Sequence, residues 1–316
     1  MPELTIAGRI VPATEHANLL DTLLAAGLPV PFSCRAGSCH ACLVRCSRGE
    51  PQDRLPGALG DAQRAAGWRL ACQCRIAGDL TLELFDPQRD GLPARIDRLD
   101  WLTADILRLR LQPERPLRYS AGQHLLLWGA ADVARPYSLA SLPADDGLEF
   151  HIDCSQPGAF SNLARGWRAG DSLRLGELHG GALHYDPDWQ ERPLLLLAAG
   201  TGLAPLWAVL REALRLGHRG PIQLWQVARD SAGHYLASEL ARLCATHPRL
   251  QVRLLLQAEL ASALANLQLA SRQTIALVCG PPAAVDRFAR RLYLAGLPRS
   301  QLHADVFLPR ATPAPA

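Results

Sequence analysis

A chain of 316 residues, 48% hydrophobic and 20% charged, holds enough apolar material for two or three globular domains. Its 33 basic residues, all arginine, stand against 30 acids, and the net charge of +3 is spread without a basic block, which excludes nucleic-acid binding. No stretch reaches the ~18 apolar residues that span a bilayer. Residues 1–8 carry neither a basic n-region nor an apolar run, so a cytoplasmic protein is expected. The absence of lysine reads as the mark of a GC-rich genome rather than of phosphate recognition.

Residues 1–90 read as a small β-grasp unit, with short strands near 4–10, 43–46 and 80–84 and a helical run at 17–26. Cys34, Cys39 and Cys42 form a C-x4-C-x2-C loop, and 29 residues separate Cys42 from Cys72. That is the spacing of a plant-type [2Fe-2S] site. Thiolates are soft ligands suited to such a cluster. The small intervening residues Ala36, Gly37, Ser38 and Ala41 let the loop turn its amides inward, with a glycine free to take positive φ. A structural zinc site would pair two C-x2-C knuckles where only one occurs, and nine cysteines are an odd number for disulfides. Cys74, two residues beyond Cys72, would share its strand face, so spacing alone leaves the fourth ligand open. Cys46 reads as a packing residue in a strand. With nine arginines against ten acids, this unit lacks the strong negative charge that would steer it to a separate basic partner.

A turn-rich stretch at 85–93 reads as a linker. Beyond it, alternating segments at 106–111, 124–128, 148–152 and 172–175, broken by Gly and Pro, predict an antiparallel barrel over 93–190. Two of its segments carry chemistry, Arg135-Pro136-Tyr137-Ser138 and Gly158-Ala159-Phe160-Ser161. An arginine can fork onto a pyrophosphate, a tyrosine ring can cover a flavin face, and a hydroxyl can reach a ring nitrogen. Taken singly, these residues read as a strand end and a surface turn.

From Pro193 the rhythm changes. An apolar strand at 194–199 precedes a glycine turn and a helix at 206–216 closed by Gly217. A strand at 222–228, a helix at 232–244, strands at 251–256 and 274–279, and a helix at 283–295 follow. This alternation predicts a parallel sheet flanked by helices over 193–316, with ligands at the carboxyl ends of its strands. Gly200-Thr201-Gly202-Leu203-Ala204-Pro205 and Cys279-Gly280-Pro281-Pro282 each lead a buried strand into a helix. Glycines there let a backbone approach a pyrophosphate, and the helix N-terminus favours its charge.

In combination these motifs resemble the ferredoxin-NADP reductase superfamily, over nearly the whole chain. The patterns are R-x-Y-S, G-x-x-S, G-T-G-x-A-P and C-G-P-P, behind an N-terminal ferredoxin whose Leu70-Ala71-Cys72-Gln73 is similar to the "LACQ" segment of plant-type ferredoxins. The resemblance is closest to the NADH-dependent reductase components of bacterial aromatic-ring and soluble diiron oxygenases and to the CDP-6-deoxyhexose reductase group. It implies Cys72 as fourth cluster ligand and FAD as the flavin, because FMN-type relatives carry their ferredoxin at the C-terminus. It also implies that Arg135 holds FAD phosphate, Tyr137 packs on the isoalloxazine, Ser138 lies near N5, and Gly158 and Ser161 sit at the pyrophosphate. Gly200, Thr201, Gly202 and Pro205 would shape the nicotinamide nucleotide site, with Cys279 and Gly280 beside the nicotinamide. Asp305-Val306-Phe307 resembles the family's E-x-F ending, so that Phe307 would close over the flavin.

The chain departs from that pattern in three places. Gly176-Glu177-Leu178-His179-Gly180-Gly181 stands where relatives usually read G-P-x-G, Ala283-Ala284 where methionine is frequent, and Asp305 where glutamate is usual. Arg229 and Tyr235 follow the second strand of the nucleotide region, where a ribose 2′-phosphate could bind, although NADH is the expected donor. The resemblance implies electron transfer from NAD(P)H through FAD to the [2Fe-2S] cluster and on to an acceptor protein. That acceptor is an oxygenase or, alternatively, a deoxysugar dehydratase component. A cluster-bearing sensor or scaffold without turnover is the reading from another class. His151, His179, His184, Cys154 and Cys244 read as packing residues.

Overall fold

The computed structural model describes residues 1–130 and 133–308. Residues 131–132 and 309–316, which the expected second and third regions include, lie outside the described residues. The first region is a five-stranded mixed sheet in the order Arg9–Pro12, Glu3–Ile6, Leu80–Leu84, Leu43–Arg48, Trp68–Leu70. Residues 4–10 are therefore two strands instead of one. Ala7 and Gly8 take φ of +49° and +79°, a hairpin turn that reverses the chain. Helix Leu19–Ala25 buries Leu19, Leu20 and Leu23 on this sheet, and the Asn18 side chain accepts the Asp21 amide at 3.2 Å to cap it.

The expected linker is shorter than 85–93, because helix Pro87–Asp90 leads directly into the ten-residue strand Leu92–Trp101. That strand belongs to a six-stranded antiparallel sheet in the order Val133–Ser138, His124–Ala130, Ser172–His179, Leu92–Trp101, Ile106–Pro113, Leu148–Asp153. The sheet curls into a half-barrel around Leu109, Leu111, Leu125, Leu127, Phe150 and Ile152. Past the first edge strand, the Ala140 amide donates to the Glu149 carbonyl on the far edge at 2.8 Å. Pro136 sits in an edge strand, where its missing N–H costs the ladder least.

The third region is a parallel sheet in the order Leu250–Leu256, Ile222–Ala228, Leu194–Ala199, Ile275–Gly280, Leu302–Val306. Leu194, Leu196 and Ala198 face helix Leu203–Arg215, while Leu195, Leu197 and Ala199 face helix Pro282–Leu294. Burial on both faces is why this strand reads as an unbroken apolar run. The helix expected at 232–244 forms instead at Ala237–Thr246. The Asp230 carboxylate accepts the Gly233 amide at 3.0 Å and ties Ser231–Gly233 into a short turn, after which Tyr235 and Leu236 enter the core. The core that backs helix Leu203–Arg215 also takes in Ile106, Ala121, Leu142 and Leu183 of the half-barrel, and Arg211 grips Asp145 through two bonds of 2.7 Å. The two regions are thus packed as one body.

Both glycine turns are needed by packing. A Cβ on Gly202 would lie 2.3 Å from the Cys279 carbonyl oxygen, and one on Gly280 (φ +148°) would lie 2.9 Å from Ala199. Gly200, at φ +55°, faces open space. Gly202→Ala is expected to destabilise the nucleotide region by about 1–3 kcal/mol through overpacking, against about 1 kcal/mol for Gly200→Ala. Calorimetry should place the Gly202→Ala transition below that of Gly200→Ala, by up to roughly 4–8 °C; a midpoint equal to or above that of Gly200→Ala would contradict the interlock.

Candidate functional site

The cluster loop runs from Cys34 to Cys42 with Arg35, Gly37 and His40 at φ of +52°, +82° and +53°. Left-handed residues of this kind turn successive amides to one side. The Ala36 and Cys39 amides point at the Cys34 sulfur at 3.3 and 3.4 Å, and the Cys34 amide at the Cys39 sulfur at 3.5 Å. The Cys72 amide reaches the Cys42 sulfur at 3.5 Å, and the Gln73 side-chain amide reaches the Cys72 sulfur at 3.3 Å. The sulfurs therefore stand in two touching pairs. Contact with Cys39 brings the Cys34 thiol down to about 4, and contact with Cys42 lowers Cys72, while Cys39 and Cys42 are raised by the same contacts. Four sulfurs ringed by amide donors fit a [2Fe-2S] cluster. Cys74 points away from them into the apolar core, and burial pushes Cys46 up to about 11.

The same loop forms one wall of a cleft of about 210 Å³. Ser33, Cys34, Ser38 and Cys39 face the half-barrel residues Arg135, Pro136, Tyr137 and Ser138 across it. Thr201 and Ala204 close one end and Asp305, Val306, Phe307 and Leu308 cover another. Arg135 to Ser138 reach it from the edge strand, where Ser138 pairs with His124 and Tyr137 with Leu125. The Tyr137 ring leans on Phe160 at 4.9 Å, which brings the start of helix Ala159–Gly166 to the same place. That helix has no side-chain cap at Gly158, and the Ser161 hydroxyl donates back to the Gln156 carbonyl at 2.9 Å. Its first amides are left for an anion. A deep cleft, an arginine, an aromatic ring and an uncapped helix start suit a flavin dinucleotide.

Of the remaining expected residues, Gly200, Thr201 and Gly202 form a short 3-10 turn, and Pro205 is buried in the first turn of the following helix. Cys279 is wholly buried, and its thiol is raised by that burial. The Phe307 amide donates to the Gly280 carbonyl at 2.9 Å, so the C-terminal strand lies over this glycine turn. Tyr235 is also buried, its ring edge-on to His151 at 5.1 Å, whereas Arg229 is exposed. His124 and His151 line the cleft beside the expected residues. Burial lowers His124 and raises Asp305, with each group's charge acting on the other. The sequence signal for His124 was a polar side chain opening an otherwise apolar strand, whereas His151 stands among acids in its strand and carried no such signal.

Residues 4–77 match the model of the 2Fe-2S iron-sulfur cluster binding domain, and residues 196–290 that of the oxidoreductase NAD-binding domain. The chain is similar to the ferredoxin–NAD(P)+ reductase component of the naphthalene 1,2-dioxygenase system of Pseudomonas putida, 32% identical over 95% of this chain and 96% of that one. A reductase component of the naphthalene 1,2-dioxygenase/salicylate 5-hydroxylase systems of a Ralstonia species is also 32% identical, over 94% of this chain and 95% of its own. Among solved structures, the ferredoxin reductase in carbazole 1,9a-dioxygenase covers 97% of this chain and 98% of its own, at 25% identity and a TM-score of 0.65. The cytochrome P450 reductase of Amycolatopsis matches equally well, with 98% and 99% covered, 25% identity and a TM-score of 0.65.

Cys72→Ser should abolish bound iron and acid-labile sulfide. Cys74→Ser should keep both and lose about 1–3 kcal/mol of stability by burying a hydroxyl in an apolar core. Iron retained in the first variant and lost in the second would reverse the ligand assignment. Its two matched domains, its cleft and its full-length relatives agree: the chain belongs to the family of ferredoxin–NAD(P)+ reductase components, oxidoreductases that work with NAD(P)H, FAD and a [2Fe-2S] cluster.

Proposed function

We propose that this chain is the reductase component of an oxygenase system, taking a hydride from NADH and delivering single electrons to a partner oxygenase. The observation that carries this reading is the single cleft in which the cluster loop, the Arg135 to Ser138 segment and the Gly200 turn meet. Its relatives serve naphthalene and terephthalate dioxygenases, which favours an oxygenase over a dehydratase as acceptor. The intact cleft favours turnover over a sensor or scaffold. We assign the cluster to residues 1–90, FAD to 93–190 and the nucleotide to 193–316, in the cytoplasm; no described helix is long and apolar enough to cross a membrane.

Cys34, Cys39, Cys42 and Cys72 hold the cluster. Arg135, with the amides that follow Gly158 and the Ser161 turn, would hold the FAD pyrophosphate, and Tyr137 and Phe307 would cover the ring and keep water from it. Ser138, buried on its strand, would offer its hydroxyl to the ring. Gly200, Thr201, Gly202 and Pro205 would hold the nicotinamide nucleotide, with Cys279 and Gly280 beside the nicotinamide. The bound flavin supplies the conversion of a two-electron hydride into single electrons, which a [2Fe-2S] cluster accepts one at a time.

Anaerobic stopped-flow mixing of the reconstituted protein with NADH should bleach the flavin first and the cluster absorbance second, and NADPH should do so more slowly. A protein loaded with both groups and reduced by neither nucleotide would overturn the reading. Arg135→Ala should weaken FAD binding by about 10- to 100-fold, the worth of one charge-assisted contact, with the iron content unchanged. Unaltered FAD affinity by fluorescence titration would remove Arg135 from the phosphate site.

A further inference from the structure

We propose that His40, Glu177 and His179 form a divalent-cation site of the zinc class, clamping the cluster loop to the half-barrel. His40 comes from the loop between Cys39 and Cys42, and the other two donors come from the segment that departs from the family pattern. One ligand atom from each lies within 4.8 Å of the others. Tetrahedral ligands about 2.1 Å from zinc stand roughly 3.4 Å apart, so no pair has to close by more than about 1.4 Å.

Several independent features of this cluster of side chains are left without an explanation by protein packing alone. His40 is 9% exposed, and its Nδ1 has no hydrogen-bond partner; the Nε2 of His179 has none either. Buried polar atoms are nearly always paired, so two orphaned imidazole nitrogens in one cluster with a carboxylate mark a missing partner. The two rings stand 3.6 Å apart between centroids. Glu177 is half-buried and bonded to the neutral Gln63 amide, with no arginine paired to it among the described residues. Burial raises its carboxyl, as expected of an anion lacking a counter-ion. His40 also holds φ +53°, a conformation that costs an L-residue about 1 kcal/mol and that brings its ring to this junction. A cavity of about 10 Å³, lined by all three residues, has room for one small ion. Two imidazoles and one carboxylate suit zinc, whereas the thiolate set of the neighbouring loop suits iron and sulfide.

The test uses the holoprotein with FAD and cluster in place. It is equilibrated with Zn2+ against a weak chelator, desalted, and examined by elemental analysis and zinc-edge X-ray absorption. The expected result is about one zinc per chain in addition to the cluster iron, with nitrogen and oxygen scatterers and an imidazole signature. His179→Ala and the near-isosteric Glu177→Gln, which retains the Gln63 contact, should each lower zinc affinity at least about 10-fold with iron and flavin content unchanged. Zinc bound equally by the wild type and Glu177→Gln would overturn the proposal. So would sulfur scattering, which would place the zinc at the cysteines.

Discussion

The docking of the cluster loop on the half-barrel is the contact on which the rest of this molecule depends. Cys39 and Ala41 are buried together with Leu126, Trp128 and Ala134, and Phe85 stacks on Trp128 at 5.2 Å and 16°. Such a ring pair adds about 0.5–1.5 kcal/mol beyond its buried area. A loop that must turn three sulfurs inward and bury one flank against another sheet has few conformations left, and the left-handed Arg35 and His40 show the strain accepted to satisfy both demands. Electron transfer between two groups on one chain requires a fixed separation. Apolar contact and ring stacking provide it here without the strong charge complementarity that a separate ferredoxin would need.

That docking also closes one side of the cleft. With the cluster loop along one wall and the C-terminal strand along another, the cleft is closed to water on sides that an isolated half-barrel would leave bare. Covering the cleft with protein lowers the effective dielectric around Arg135, which strengthens any charge contact made there. The nucleotide region is held to the same half-barrel by a shared apolar core and by the Arg211–Asp145 pair. The three walls of the cleft are therefore positioned by packing that lies outside it.

The segment Gly176 to Gly181 shows how a departure from a family pattern acquires its sense in three dimensions. It continues strand Ser172–His179, pairing Leu178 with Leu125 and His179 with His124. A Cβ at Gly176 would press on Leu126 at 3.0 Å, so glycine is kept there by the neighbouring strand. Glu177 bonds Gln63, and His179 lies against His40, so its polar side chains serve the junction with the cluster region.

Local chemistry determined much of this protein from its sequence. Cysteine spacing marked the domain at 4–77 as a 2Fe-2S domain, the apolar run at 194–199 marked a strand buried on both faces, and the motifs around Arg135, Gly158, Gly200 and Cys279 marked the turns and strand ends where they stand. These features were legible because each depends on residues close together in the chain. Only the tertiary structure shows the Cys72 amide beside the Cys42 sulfur and Cys74 packed in the core, a difference that spacing does not carry. It alone brought His124, His151 and Asp305 to the cleft, split residues 4–10 into a hairpin, and turned Tyr235 and Leu236 into the core ahead of their helix. Each of those outcomes is decided by contacts between segments remote in sequence, and hydrophobic periodicity carries no information about such partners.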